Sequence, residues 1–263
     1  MYTITPLKQG ELTLPLSIPI GGCDPKTMIT LPVYIWILKG HDKVLVVDAG
    51  IEGHVPPHPI SVRAGGEEML REALGKLQLR PEDIEILILT HLHADHVSLA
   101  KLFTNARIYV QKSEWDFALN PPMTLRHTRV YDEELILPIE HMDLCLVDGD
   151  YEITEGIKLI ALPGHSPGMQ GVSVETKDGT YLIAGDQFDL YLNIFPPKHP
   201  TKIRDIAGIL IDIPPIESPF APPGFIINLV DWCKSCYKAL SITRRNKIIP
   251  GHEPSICGQI FPP

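Results

Sequence analysis

The sequence predicts an α/β fold: two sheets packed face to face with helices outside, a four-layer αβ/βα sandwich. Two observations lead there. Strand-like and helix-like stretches occur in both halves of the chain, and the strands of the second half are paired by tight turns into hairpins. The order of elements alone also fits an ordinary mixed α/β domain, and no internal repeat is visible. The 263 residues suffice for one large domain with a proper core. The expected organisation is a single domain over 1–263 with a proline-rich loop insertion at about 187–225.

The elements follow in order. "PVYIWIL" (32–38) and "KVLVVDAG" (43–50) are rich in β-branched residues and flank the turn "KGHD", so they predict two paired strands. In "GGEEMLREALGKLQL" (65–79), Met69, Leu70, Ala73, Leu74 and Leu77 recur at helical spacing, with Glu early, Lys late and Pro81 as a stop. "IEILILT" (84–90) is a short apolar run, the mark of a buried strand. "ARIYVQ" (106–111) predicts a strand, and "SEWDFAL" (113–119) a helix capped by Ser113. "DYEITEGIKLIALPGH" (150–165) gives two strands around Glu155-Gly156, and "QGVSVETKDGTYLIAGD" (170–186) a hairpin around "KDG". "LVDWCKSCYKALSI" (229–242) predicts a helix, and "NKIIPGHEPS" (246–255) a last strand running into a loop.

Composition narrows the function. Hydrophobic residues make up 44% and charged residues 21%, as in ordinary globular proteins. A net charge of −9 without a long Lys/Arg run argues against a nucleic-acid groove or an anionic membrane surface. No apolar run reaches the ~18 residues of a membrane span, and no signal-peptide pattern opens the chain. A cytoplasmic location is expected. Five scattered cysteines do not form a secreted disulfide framework. Cys233 and Cys236 share one face of the last helix and are expected to pack in the core. The 26 prolines gather at "HVPPHP" (54–59) and along 187–225, stiff loops beside candidate site residues.

"THLHADH" (90–96) is the densest cluster of metal-binding side chains. In extended chain, His91 and His93 point to one side and can hold one ion. Asp95 and His96 follow where the chain must turn into a helix, so they address a second position. Three distant runs supply the remaining donors: "LPGH" delivers His165, "LIAGD" delivers Asp186 and "IIPGH" delivers His252. Each donor follows a Gly that lets the backbone turn sharply. His91, His93 and His165 then serve one ion, Asp95, His96 and His252 the other, and Asp186 bridges them with a hydroxide between. Such thiolate-free donors suit two divalent ions, Zn2+ first, with Mn2+, Fe2+ or Co2+ as competitors.

The combination "HLHADH", "PGHSPG", "AGD" and "PGH" resembles the metallo-β-lactamase superfamily over residues 31–253. "LVVDAG" resembles that family's first motif, whose aspartate, here Asp48, supports a ligand histidine from outside the donor set. Within the superfamily, "LPVYIWILKGHDKVLVVDAG", "TNARIYVQKSEWDFALNP", "GDYEITEGIKLIALPGHSPGMQGVSVET" and "IIPGH" are most similar to the N-acyl homoserine lactonases. The resemblance implies ring-opening hydrolysis of a lactone by a two-metal site. A bridging hydroxide attacks the ester carbonyl, and Asp95 or Asp186 carries the proton to the leaving alkoxide. It also implies a possible homodimer and a small-molecule ester or lactone as substrate. Two departures stand out. The family places a tyrosine three residues after the bridging aspartate, where this chain has Asp189, and Tyr191 lies two further on as the candidate for that role. The glycine-rich turn after the metal motif is replaced by "HVSLAKLF".

Other functions fit the same residues. A thioester hydrolase of the glyoxalase II type shares the two-metal motif but carries a basic C-terminal helical region. Here only Arg244, Arg245 and Lys247 cluster there. A carboxyl or phosphate ester hydrolase would use the same hydroxide. A metal-containing binding module without turnover is the non-enzyme alternative. His41, His54, His58, His127, His141 and His199 are expected to be surface or satisfied core residues, and Asp189 a solvated loop residue. "CDPKTMITLP" (23–32) and the 187–225 stretch are the expected walls for an acyl tail.

Overall fold

The computed structural model describes residues 1–41, 43–53, 60–126 and 128–262. The knot at 54–59 and His54, His58 and His127 therefore lie outside the described residues.

Seven strands form the first sheet: β1 (Thr3–Pro15), β2 (Met28–Gly40), β3 (Lys43–Val47), β4 (Ser61–Ala64), β5 (Ile86–Ile88), β6 (Arg107–Gln111) and β7 (Leu144–Val147), in the order β4-β1-β2-β3-β5-β6-β7. The β4-β1-β2-β3 half is antiparallel and the β3-β5-β6-β7 half parallel. The second sheet contains β8 (Tyr151–Thr154), β9 (Ile157–Ala161), β10 (Gln170–Thr176), β11 (Gly179–Ile183) and β14 (Ile248–Ile249), in the order β14-β11-β10-β9-β8. A separate hairpin, β12 (Thr201–Arg204) with β13 (Leu210–Ile213), lies within the proline-rich stretch.

The alternation of side chains explains the layers. One face of β2 and β3 carries Tyr34, Trp36, Leu38, Leu45 and Val47, which meet Leu159, Val172, Val174 and Ile183 of the second sheet in a buried core. The opposite face carries Ile35, Ile37 and Val46, covered by α1 (Glu67–Gly75), α2 (Ala94–Val97), α3 (Lys112–Leu119) and the short helix Glu133–Ile136. On the far side of the second sheet, Ile160, Leu162 and Leu182 pack against Trp232, Cys236 and Ala239 of the long helix Leu229–Ile242. This is the expected four-layer αβ/βα sandwich. Side chains of this size contribute about 1.5–3 kcal/mol each when fully buried.

Local differences from the sequence reading are small but physical. β1 carries no clear strand signal in the sequence. Its apolar residues alternate with polar ones, but Pro6 and a bulge between Lys8 and Gly10 break the pattern. Helix α3 starts at Lys112, so its cap position is Gln111, and Ser113 makes no cap; its hydroxyl reaches Pro167 O at 3.4 Å instead. Cys236 is fully buried and accepts a hydrogen bond from Gln187 Nε2, whereas Cys233 is exposed. Only half of that expected pair belongs to the core. Trp36, Trp115 and Trp232 are all buried, and His41, His141 and His199 are exposed.

Candidate metal centre

The seven candidate donors all lie just beyond strand ends at one edge of the sandwich. His91 and His93 follow β5, and Asp95 and His96 sit in the four-residue α2. His165 follows β9, Asp186 lies in a 3-10 turn after β11, and His252 follows β14. Two glycines make these turns possible. Gly164 has φ +145 and presses against the Trp232 backbone, and Gly185 has φ +50. Gln170, at the start of β10, ties the sheets together here. Its N–H donates to Thr90 O at 2.9 Å and its amide to Leu89 O at 2.8 Å.

The donor atoms form two groups. In the first, His93 Nδ1 lies 2.9 Å from His91 Nε2 and 3.1 Å from His165 Nε2. Asp186 Oδ2 lies 3.7 Å from His91 Nε2 and 3.4 Å from His165 Nε2. In the second, Asp95 Oδ2 lies 3.5 Å from His96 Nε2 and 3.6 Å from His252 Nε2. Asp186 Oδ1 lies 3.3 and 3.2 Å from those same nitrogens. Asp186 thus offers one oxygen to each group, as the sequence reading required of a bridge.

These spacings match a ligand shell. Tetrahedral ligands about 2.0–2.1 Å from a zinc ion stand about 3.3–3.4 Å from one another. Hydrogen bonds account for the contacts less well. His93 Nδ1 has one lone pair or one N–H, so it can bond to one of the two nitrogens facing it, not both. His96 Nε2 and Asp186 Oδ1 are buried 3.3 Å apart, yet neither has a hydrogen-bond partner. A cation that displaces the proton from His96 Nε2 would take both atoms as ligands. Buried polar atoms left in this way call for an ion. The residues fit two divalent cations, one per group.

The outer nitrogens matter as well, because a metal-bound imidazole is oriented by the bond its other nitrogen makes. His96 Nδ1 donates to Asp48 Oδ2 at 2.8 Å, and His252 Nδ1 to Pro32 O at 2.8 Å. His91 Nδ1 faces Thr90 Oγ1 at 3.1 Å. Asp48 also accepts Thr90 N at 2.7 Å, which locks the end of β3 to the histidine loop. Its φ of +59 belongs to the left-handed region that Asp tolerates better than most residues. Among the described residues, His93 Nε2 has no such partner, and His165 Nδ1 has only a weak contact with the Phe225 backbone, outside hydrogen-bond geometry.

Charge divides the groups. Burial, with the neighbouring imidazoles, holds His91 and His93 well below the usual histidine range; burial also lowers His165. These three are neutral donors. Burial opposes charge on His96 and His252 too, but Asp186 and Asp95 outweigh it. His96 stands well above the usual range and His252 at about 9. Burial would raise Asp186, and the His96 and His252 charges more than reverse it.

Five of the seven donors, His93, Asp95, His165, Asp186 and His252, form the floor of a cavity whose lining is apolar but for these and Asp189. Ten of its sixteen lining residues are apolar, among them Leu12 and Leu14 of β1, Ile18, Pro19, Leu31 and Phe225. The walls are braced. Gly224 N–H donates to Ile18 O, and Asn193 Nδ2 to both Pro19 O and Ala221 O, each at 2.8 Å. The expected walls are thus found in part. Leu31 comes from 23–32, and Asp189 and Phe225 from the ends of the proline-rich stretch, but much of the wall comes from β1 and the turn after it.

Two expectations change. Tyr191 is not among the lining residues. It opens the helix Tyr191–Ile194, its N–H donates to Glu253 Oε2 at 2.9 Å, and its half-buried ring packs against the core. Burial and the Glu253 charge push its hydroxyl to about 12. Asp189 is not a solvated loop residue. It is 6% exposed and is the one polar lining residue outside the donor set. Burial and the Asp186 charge hold its carboxyl well above the usual range.

Fold and site together define a protein of the αβ/βα sandwich class with a paired-cation donor set at the sheet edge. The chain belongs to the metallo-beta-lactamase superfamily, whose description matches residues 28–212. It is 31% identical over 179 residues to the N-acyl homoserine lactonase AiiA of Bacillus thuringiensis subsp. kurstaki. That match covers 62% of this chain and 66% of the relative, just under two thirds of its length. A solved quorum-quenching N-acyl homoserine lactone hydrolase superposes with a TM-score of 0.75 at 26% identity, covering 96% of this chain and 93% of its own. Another, with the product N-hexanoyl-L-homoserine bound at its catalytic metal centre, gives 0.73 at 26% identity, covering 97% and 93%.

Proposed function

We propose that the protein is a dinuclear-metal hydrolase that opens the ring of an N-acyl homoserine lactone or a similar lactone. The observation that carries this reading is a cavity with a two-cation donor set as its floor and apolar side chains as its walls. The reactive ester goes to the floor and an acyl tail to the walls. The two relatives named as lactonases or lactone hydrolases, and the relative holding N-hexanoyl-L-homoserine, support the same assignment. The whole described chain acts as one catalytic domain.

His91, His93 and His165 would hold one ion and Asp95, His96 and His252 the other, with one oxygen of Asp186 toward each group. Two such ions, Zn2+ on these donors, supply a water acidic enough to lose a proton near neutral pH and an electrophile for the carbonyl oxygen. The protein's own groups do the rest. Asp186 fixes the separation of the two sites, one oxygen to each. Asp48 holds His96 with Nε2 turned inward. Asp95, the more exposed of the two acidic donors at 19% of its side chain, takes up the proton that the water loses and passes it to the leaving alkoxide oxygen. The apolar walls keep bulk water from the acyl tail. Asp189 stands at the sequence position of the family's tyrosine and lines the cavity, so no step is given to Tyr191.

No helix among the described residues is long and apolar enough to cross a membrane. The five unpaired cysteines and the net charge of −9 suit a small-molecule enzyme of the reducing cytoplasm. The test is a hydrolysis profile of the metal-loaded protein across N-acyl homoserine lactones, a glutathione thioester and a phosphotriester. A lactone kcat/KM about tenfold or more above the others supports the reading. Faster thioester hydrolysis overturns it.

A further inference from the structure

Glu114 is a carboxylate with no role in the donor set, yet it is 0% exposed. Four donors converge on it. Oε1 accepts Leu92 N at 3.0 Å and Tyr131 OH at 3.0 Å. Oε2 accepts Ser166 Oγ at 2.6 Å and Gly168 N at 2.9 Å. Leu92 lies between His91 and His93, and Ser166 follows His165. One side chain of α3 therefore holds both loops that bring the first ion's three histidines together. The approach is close, since a Cβ on Gly168 would stand 2.2 Å from Glu114 N.

The pattern of outer hydrogen bonds gives this a purpose. His93 and His165 are the two ligands whose outer nitrogens lack a well-formed hydrogen bond among the described residues. Glu114 instead holds the residues beside them, Leu92 through its backbone N–H and Ser166 through its hydroxyl, and Tyr131, bonded to Glu114, lays its ring edge-on to His93 with centroids 4.7 Å apart. In the second site, by contrast, His96 and His252 each have a direct partner.

We propose that Glu114 is the positioning residue of the His91–His93–His165 site, replacing the direct hydrogen bonds that His93 and His165 do not make. The proposal rests on the two-ion reading of the centre. It follows that an amide cannot substitute. Each Glu114 oxygen takes one backbone N–H, so the NH2 of a glutamine meets a fixed donor at either position. Glu114→Gln keeps the shape and breaks one anchor.

The test reads metal binding, not turnover. The wild-type protein should bind two Zn2+ in chelator competition; fewer than two would sink the two-ion reading itself. Glu114→Gln is then placed in two single-site backgrounds. In His252→Ala, which leaves the first site intact, it should weaken the remaining ion about 10- to 100-fold, the usual effect of losing support behind a ligand. In His93→Ala, which leaves the second site, affinity should stay within about twofold. Equal weakening in both backgrounds, or none in either, overturns the proposal. Should Glu114→Gln not fold, Tyr131→Phe and Ser166→Ala each remove one hydroxyl and keep both backbone anchors. The same contrast, smaller in size, is expected from them, and its absence refutes the clamp.

Discussion

Phe225 offers the most direct handle on how the cavity uses its walls. Its ring lies edge-on to His93 and His165, with centroids 5.6 and 5.8 Å away, so it stands where the metal floor meets the apolar wall. On the proposed reading, a tail leaving the ester packs against it. A fully buried methylene is worth about 0.8 kcal/mol. If the ring covers two methylenes of the tail, Phe225→Ala costs about 1.6 kcal/mol, or about 15-fold in kcat/KM. Because the contact is the same in ground and transition states, the loss should fall on KM rather than kcat. The assay compares N-hexanoyl homoserine lactone with γ-butyrolactone, which has the ester ring and no tail. The tailed lactone should lose about 15-fold and the bare ring less than about twofold. Equal losses would mean that Phe225 supports His93 and His165 rather than the tail. No loss would mean that the tail lies elsewhere.

Three further outcomes follow from the geometry. A Cβ on Gly251 would stand 2.9 Å from Asp186 Oδ1 and from the Gly185 carbonyl, so Gly251→Ala should displace the bridging carboxylate. A loss of about 100-fold in kcat with unchanged circular dichroism is expected, the scale of a small misplacement at a reacting centre. Asp189 is an acid whose folded-state pKa is raised by burial and by the Asp186 charge. It therefore costs stability at pH above its unfolded value of about 3.9. Asp189→Asn should raise the Tm of the metal-free protein by a few degrees at pH 8, a gain that fades as pH falls toward 4 in scanning calorimetry. His252, at about 9, holds a proton at neutral pH that a cation on Nε2 must displace. Metal uptake at pH 7.5 should release protons from both His252 and His96, which also stands well above the usual range, and the His252 share of the release should fade above pH 9 in calorimetry across buffers.

Most of the site was legible because its chemistry repeats a local pattern. His165, Asp186 and His252 each follow an apolar run and a Gly, and the fold places all three strand ends at one edge. The inner and outer nitrogens of each histidine were not legible, because they depend on ring rotation set by distant partners such as Pro32 O. The long strands of the first sheet announced themselves by apolar runs, whereas β1 hid behind Pro6 and its bulge, and with it much of the cavity wall. Tyr191 was the nearest tyrosine in sequence, but the 3-10 turn at Gly185–Gln187 sends Asp189 toward the cavity and Tyr191 into the core. Glu114 left a trace that could have been read. It shares a helical stripe with Ala118 and adjoins Trp115, both buried, so a charge on that face needed partners.

The central claim is that two ions, held by two triads and joined by Asp186, open a lactone. It is tested most directly by titrating metal-free protein with Zn2+ while following hydrolysis of N-hexanoyl homoserine lactone. The rate should stay low to one equivalent and reach its plateau at two. A full rate at one equivalent, or two tightly bound ions with no lactone hydrolysis, would contradict it.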